Sequence, residues 1–335
     1  MFTQSAATAT AATAATAIGT RFKGLRVAVI LPCYNEEAAI GTVVADFQKA
    51  LPEARIYVYD NNSMDRTSAV AAVAGAIVRS ETLQGKGNVV RRMFADVDAD
   101  IYLMCDGDIT YDAASAPALV DKLVDENLDM VVGCRVDQSV AAYRTGHRFG
   151  NALFTGFVAN LFGKRFTDIL SGYRVFSRRY VKSFPALSNG FETETELTVH
   201  ALQLRMPIGE MSTPYGARVE GSTSKLSTYR DGYRIMIMIL KLFKNERPLA
   251  FFGSIFAILA LISIGLSIPL LLTYLETGLV PRLPTAVLAV GTMLLGFLSM
   301  TCGLILDTVT HGRRELKRLA YLTVASTIAL AEERR

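Results

Sequence analysis

The stretch Ile101-Tyr102-Leu103-Met104-Cys105-Asp106-Gly107-Asp108 decides the reading of this chain. A run without a charged residue predicts a strand covered on both faces, the condition of a parallel sheet. It ends abruptly in two carboxylates one residue apart. Open α/β sheets collect ligands beyond the carboxyl ends of their strands. Two hard oxygen donors at that place suit Mg²⁺ or Mn²⁺, ions that share their coordination with substrate phosphates. The competing reading is a polar turn in which Gly107 supplies a positive φ.

Outward from this strand, short β-branched runs at Val27–Leu31, Ile56–Tyr59, Ala76–Val78 and Met130–Val132 alternate with helical stretches at Glu37–Ala50, Asp65–Ala74, Gly87–Ala95 and Ala114–Glu126. That alternation predicts βαβ units and a mostly parallel sheet, an α/β fold. The first strand runs into Pro32-Cys33-Tyr34-Asn35-Glu36-Glu37, the second into Asp60-Asn61-Asn62-Ser63-Met64-Asp65-Arg66-Thr67. Both place polar groups on the sheet edge that carries Asp106. Asp and Asn there accept hydrogen bonds from a base or ribose, and a following helix N-terminus favours phosphate. As helix caps alone, Asn62, Ser63 and Asp65 need no ligand.

The chain has 335 residues, 51% of them hydrophobic, with a mean hydropathy of +0.30. The apolar excess lies near the C-terminus. Leu249–Leu275 and Leu283–Leu306 carry no charge and are joined by Glu276–Arg282. A helix over the first run is about 40 Å long, against about 30 Å of hydrocarbon, so the pair predicts a transmembrane hairpin. Lys241, Lys244 and Arg247 precede it, and Arg313, Arg314, Lys317 and Arg318 follow it. This bias predicts that the α/β part and both termini lie on the cytoplasmic side of the inner (plasma) membrane. The net charge of +4 is modest; its basic residues lie against an anionic leaflet, and no nucleic-acid partner is expected.

The expected organisation is a disordered Ala/Thr-rich lead-in over 1–22, a cytoplasmic α/β domain over 23–228, a juxtamembrane amphipathic helix over 229–247, the hairpin over 248–307 and a cytoplasmic tail over 308–335. The lead-in lacks the basic and apolar regions of a secretory signal. A second amphipathic segment, Tyr143–Arg165, mixes Arg144, His147, Arg148, Lys164 and Arg165 with five large apolar residues. It reads either as a membrane-surface helix or as one packed on the sheet with a solvated basic face. Cys33, Cys105, Cys134 and Cys302 show no C-x-x-C spacing and are expected to be reduced.

With these motifs laid out, Pro32-x-Tyr34-Asn35-Glu36-Glu37, Asp60-Asn61-Asn62-Ser63-x-Asp65-x-Thr67, Gly85-Lys86-Gly87 and Asp106-Gly107-Asp108 resemble those of family 2 glycosyltransferases, whose fold is the nucleotide-sugar-binding GT-A type. Gly133-Cys134-Arg135, Asp168-x-x-Ser171-Gly172-Tyr173-Arg174-x-Phe176, Gly190-Phe191-x-x-Glu194-x-Glu196-Leu197 and Gly221–Ser227 are similar to motifs of the polyprenyl-phosphate branch. That branch includes dolichol-phosphate mannose synthase and the bacterial undecaprenyl-phosphate glycosyltransferases, several of which share two membrane helices at this position.

The resemblance implies that Pro32, Tyr34 and Glu36 wall a base pocket, with Asp60 and Asn62 on the donor and Lys86 near its diphosphate. Asp108 would bind the metal, with Asp106 beside the ribose, metal or sugar. It also implies inversion at the anomeric carbon and a homo-oligomer, a tetramer in several bacterial members. Glu192, Glu194 and Glu196 cannot share one site on a helix, because alternate residues diverge. Glu194 is expected at the metal or donor, Glu192 in solvent and Glu196 in a structural ion pair. Gly291 and Gly296 would permit close helix approach.

One position departs from the pattern: Thr110 stands where dolichol-phosphate mannose synthases carry a glutamine ligand. A UDP-linked hexose or N-acetylhexosamine is therefore expected ahead of GDP-mannose. The acceptor, a polyprenyl phosphate such as undecaprenyl or dolichyl phosphate, has a second pKa of about 6 and is largely anionic at neutral pH. It needs cations rather than a base. Arg135, Arg148, Arg174 and Lys225 are the candidates, with Ser171 beside them. A processive polysaccharide synthase is disfavoured by the missing Gln-x-x-Arg-Trp motif and the absence of any tryptophan. A catalytically inert nucleotide-sugar-binding scaffold is the reading from another class.

Overall fold

The computed structural model describes residues 22, 24–137, 156, 167–186, 193–216, 237 and 239–333. Strands β1 (Val27–Cys33), β2 (Arg55–Asp60), β3 (Ile77–Ser80), β4 (Ile101–Met104), β5 (Met130–Asp137), β6 (Arg174–Ser177) and β7 (Ile208–Tyr215) form one sheet in the order β3-β2-β1-β4-β6-β5-β7. Among the described strands, only β6 runs antiparallel to its neighbours, β4 and β5. The expected GT-A architecture, a mostly parallel sheet between helices, is the one found.

The two sheet faces follow from strand alternation. Val29, Leu31, Leu103 and Val175 point into a cluster with helices α1 (Ile40–Ala50) and, further along, Ala116–Asp125. Helix α1 buries Ile40, Val43, Val44 and Phe47, one stripe at helical spacing. On the opposite face, helix Lys86–Asp96 brings Phe94 edge-on to Tyr102 and Phe176. In chain order these helices are α1, α2 (Thr67–Val73), α3 (Lys86–Asp96), α4 (Ala116–Asp125), α5 (Arg178–Ser183) and α6 (Thr193–Gln203).

From β1 the chain winds outward to β2 and β3, while β4 lies on the other side of β1. This reversal opens a crevice at the carboxyl ends of β1 and β4, the usual ligand position in such sheets. Pro32 helps to form it. Pairing between β1 and β4 stops at Ile30 and Met104, and the Cys105 amide bonds to Ile30 O. The nitrogen of Pro32, two residues on, points toward the same side with no strand to receive a hydrogen bond. A residue without an N–H therefore loses no ladder bond there.

The chain divides into two compact units, Met1–Thr228 with Lys317–Arg335, and Tyr229–Leu316. In the second unit, α7 (Pro248–Thr277) and α8 (Leu283–Leu322) are long and apolar enough to cross a membrane. Helix α7 ends at Gly278, whose φ of +68° and N–H bond to Tyr274 O form a left-handed cap. Gly296 and Gly303 sit where a Cβ would meet Phe256 at 3.2 Å and Phe252 at 3.0 Å. Gly291 has nothing within 4 Å. Gly296 thus serves the packing of the two helices on each other, and Gly303 rather than Gly291 is its companion. Ser263 and Ser299 donate across the pair to Ala289 O and Phe252 O, at 2.7 and 3.1 Å.

Helix α8 continues well past Leu306, and its last turns belong to the first unit. There Tyr321 Oη donates to the buried Asp129 carboxylate at 2.8 Å. Arg179 both pairs with Asp129 and lies 4.8 Å over the Tyr321 ring. Lys317 Nζ donates to Gln203 Oε1 at 2.9 Å. Ala331, in α9 (Thr327–Glu333), is buried in the main apolar cluster. Cys33, Cys105 and Cys134 are buried free thiols, and Cys302 is exposed. The expected helix at Tyr143–Arg165 lies outside the described residues except for Gly156. Of the one at 229–247, residues 237 and 239–247 are described, and they are helical through 246 apart from Arg247.

Candidate active site

The end of β4 delivers Asp106 and Asp108 to the crevice beside β1. Gly107 between them is not in the positive-φ set; its role is space. A Cβ at Gly107 would stand 2.4 Å from Cys33 Sγ and 3.6 Å from Pro32 O. The turn therefore closes directly onto the end of β1, and the competing reading of a glycine chosen for positive φ does not hold. Asp108 is buried, and its Oδ1 accepts from the Thr110 hydroxyl. Thr110 thus orients the carboxylate from behind. Burial pushes the Cys33 and Cys105 thiols well up, and the charges of Asp106 and Asp108 push them further. Both thiols stay protonated at neutral pH and take no part as nucleophiles.

Lys86 is the first residue of α3, and its Nζ lies 2.5 Å from both Asp106 Oδ1 and Glu194 Oε1. Its side chain is 14% exposed and that of Glu194 7%. Burial alone would lower the Lys86 pKa, but Asp106 and then Glu194 outweigh it and hold the ammonium well above the ordinary lysine value. Local chemistry sets this lysine. Gly85 adopts φ +128°, and its N–H is held at 2.7 Å by Asn61 Oδ1, while Asn61 Nδ2 donates to Glu81 O and Leu83 O. Asn61, missed as a site residue, fastens the end of β2 to the entrance of α3. It sat in plain view within Asp60-Asn61-Asn62, but its partners lie some twenty residues on.

The loops after β1 and β2 are stitched together. Asn35 and Asn62 adopt positive φ of 54° and 62°, a region Asn tolerates. Asn35 Oδ1 accepts from Met64 N, the Asn35 amide donates to Ser63 Oγ, and Glu36 N donates to Thr67 Oγ1. Asp60 Oδ1 and Oδ2 accept from Ser63 N and Ser68 Oγ, at 3.0 and 2.5 Å. Asn62 Nδ2 donates to Thr82 O and Gln84 Oε1. Pro32, Tyr34, Glu36, Asp60 and Asn62 accordingly gather on one edge with Asp106, Asp108, Lys86 and Glu194.

The acceptor side differs from the sequence reading. Arg174 is fully buried in β6. Its Nε donates to Ser171 O at 2.8 Å, Nη1 to Thr198 Oγ1 at 2.8 Å, and Nη2 to Ile169 O. Ser171 is fully buried too, with its hydroxyl donating to Gly133 O at 2.6 Å. Neither reaches a lipid phosphate, and the expected contact is corrected to a structural one. Through Thr198, which donates to Glu194 O, Arg174 braces the helix turn that carries Glu194. It also shapes the 169–172 turn, where a Cβ on Gly172 would be 2.6 Å from Asp106 Oδ2. Gly172 is a further residue the sequence reading did not single out. Arg135 makes a two-point pair with Asp168, at 2.6 and 2.8 Å, and lies 5.5 Å over the Tyr215 ring. Arg148, Glu192 and Lys225 lie outside the described residues.

Do these residues fit a divalent ion? Among the described residues no three His, Cys, Asp or Glu side chains form a ligand group. Asp106 and Asp108 offer two hard oxygen donors. Mg²⁺ and Mn²⁺ are commonly held by one or two carboxylates, with the rest of the shell left to phosphates and water, so the donor set fits.

A parallel sheet with its switch point at β1 and β4, and an Asp-x-Asp turn in the crevice, define a glycosyltransferase of the GT-A type. Residues 28–184 match glycosyl transferase family 2, and the chain belongs to that family. It is 32% identical over 299 residues to Glycosyltransferase AglJ of Haloferax volcanii, covering 88% of this chain and 98% of that protein. The dolichyl-phosphate hexose transferase of the same organism is 29% identical over 66% of this chain and 95% of its own length. Protein RfbJ of Shigella flexneri is 59% identical over 128 residues, 38% of this chain and 99% of that protein. The fold is shared with glucosyl-3-phosphoglycerate synthase from Mycobacterium tuberculosis, solved in complex with Mn²⁺, UDP-glucose and phosphoglyceric acid. The TM-score is 0.55 at 24% identity, over 68% of this chain and 82% of that one.

Proposed function

We propose that this enzyme transfers a hexose or N-acetylhexosamine from a UDP-sugar to a polyprenyl phosphate at the cytoplasmic face of a membrane. The observation that carries the reading is the convergence of Asp106, Asp108, Lys86 and Glu194 at the mouth of the β1/β4 crevice, in a chain that also has two helices able to span a bilayer. The dolichyl-phosphate hexose transferase among its relatives supports a lipid phosphate acceptor.

In this reading Pro32, Tyr34, Glu36, Asp60 and Asn62 hold the nucleoside, and Asp106 and Asp108 hold Mg²⁺ or Mn²⁺. The ion supplies Lewis-acid stabilisation of the departing nucleoside diphosphate. Lys86 and Glu194 orient the diphosphate and the transferred sugar. The acceptor's phosphate oxygen, already ionised, attacks the anomeric carbon with its own electron pair. A carbon–oxygen bond to the lipid phosphate forms as the bond to the diphosphate breaks, so no general base is required. Arg135, with Arg148 and Lys225, steers that phosphate. The positive flanks of the hairpin support a cytoplasmic catalytic domain.

The test uses the full chain in detergent with Mg²⁺ or Mn²⁺, radiolabelled UDP-glucose, UDP-N-acetylglucosamine, UDP-galactose or GDP-mannose, and undecaprenyl or dolichyl phosphate. A labelled, organic-extractable product is expected from a UDP-sugar, and Asp108→Asn abolishes it. No product from the whole panel, or normal metal-dependent turnover in Asp108→Asn, overturns the reading.

A further inference from the structure

The Lys86 ammonium lies 2.5 Å from an oxygen of Asp106 and 2.5 Å from an oxygen of Glu194. It therefore occupies the carboxylate that the metal needs. Asp106 and Glu194 contact the one ammonium, and with Asp108 in the same turn as Asp106 the carboxylates of the site outnumber it three to one, a deficit of two positive charges. A bare divalent ion is drawn by that deficit, yet it must share Asp106 with a cation already seated at contact distance. At this separation in a partly buried site the repulsion between the two cations is strong. A nucleoside diphosphate changes the balance, because its phosphate oxygens offer Lys86 a new partner and the incoming ion further ligands.

We propose that Lys86 is the resident counter-ion of Asp106 in the donor-free enzyme and gives up that carboxylate when the diphosphate arrives, so that divalent ion and nucleoside diphosphate bind as one unit. The inference rests on the proposed metal and nucleotide site. The backbone around Lys86 favours such an exchange. Its anchor is Gly85, pinned by Asn61, so the helix start stays fixed while the long side chain alone changes partner. Glu194 remains beside it as the second carboxylate and keeps the ammonium within the crevice.

The consequence is a coupling between two ligands, which must be reciprocal. It is read without turnover, from the electron paramagnetic resonance signal of unbound Mn²⁺ in titrations of the full chain, with and without UDP. Wild type is expected to bind Mn²⁺ weakly alone and much more tightly with UDP. In Lys86→Gln the affinity for Mn²⁺ alone rises by about tenfold or more, and the gain from UDP shrinks correspondingly. Lys86→Arg keeps the wild-type coupling.

Loss of Lys86 alone leaves two carboxylates facing each other and also changes the net charge, so the double variant Lys86→Gln/Glu194→Gln is included. It restores the charge of the wild-type site. If Lys86 acts by occupying Asp106, this variant still binds Mn²⁺ alone more tightly than wild type. If net charge alone governs entry, its affinity equals that of wild type and the proposal is overturned. The proposal also falls if Lys86→Gln leaves Mn²⁺ affinity unchanged or weaker while wild type binds Mn²⁺ and UDP together; the functional reading then stands. A wild type that binds neither overturns both.

Discussion

At the scale of single residues, Arg174 teaches the most. Arginines are seldom fully buried, and the Ser171-Gly172-Tyr173-Arg174 motif of a glycosyltransferase invites a surface role for this one. The side chain instead turns inward and satisfies Ile169 O, Ser171 O and Thr198 Oγ1. Arg174→Met strips three buried acceptors of their donors and is expected to destabilise the fold by about 3 kcal/mol. Denaturant unfolding measures this. Wild-type stability with only a raised acceptor KM would restore the phosphate role. The carboxylates were legible because acids at a strand end have a narrow set of uses. The inward arginine was not, because its acceptors come from a turn and a helix that only the folded chain brings together.

At the scale of elements, the placement of α3 rests on Asn61. Its three hydrogen bonds tie β2 to the loop that ends at Gly85. Asn61→Ala is expected to cost about 2 kcal/mol and to loosen the start of the helix that carries Lys86. The checkable signature is a raised KM for the nucleotide sugar with the KM for lipid phosphate little changed; an unchanged donor KM rejects it. The first five strands were readable from sequence, because β-branched runs between helical stretches leave few alternatives. Strands β6 and β7 were not. Strand β6 spans only four residues, begins with Arg174 and runs against its neighbours, so its pattern carries no period long enough to detect.

At the scale of the whole molecule, the C-terminal segment is part of the catalytic unit rather than a trailing tail. Tyr321 bonds Asp129 across 192 positions of sequence, Lys317 reaches the last residue of α6, and Ala331 enters the main core. Deleting residues 317–335 leaves a buried carboxylate short of a donor and uncovers apolar surface. A loss of about 2 kcal/mol, or about 4–8 °C in Tm, is expected in thermal unfolding of the full chain in detergent. An unchanged Tm would show the segment to be dispensable. Tyr321→Phe should reproduce part of the loss.

By itself the sequence determined what short-range physics can encode: the alternation of strand and helix, the acids at the end of β4, and two uncharged runs of membrane-spanning length. Periodicity and composition act over a few turns of chain, and these features need no more. Tertiary structure decided the pairing of Lys86 with Asp106 and Glu194, the inward turn of Arg174 and the docking of Tyr321 on Asp129. Each joins residues far apart in the chain, so each depends on how the sheet is ordered and which helices close over it. The Asp106-Gly107-Asp108 turn belongs to both accounts. Its residues name the chemistry, but only the packing of Gly107 on Cys33 and of Lys86 on Asp106 sets how that chemistry is held.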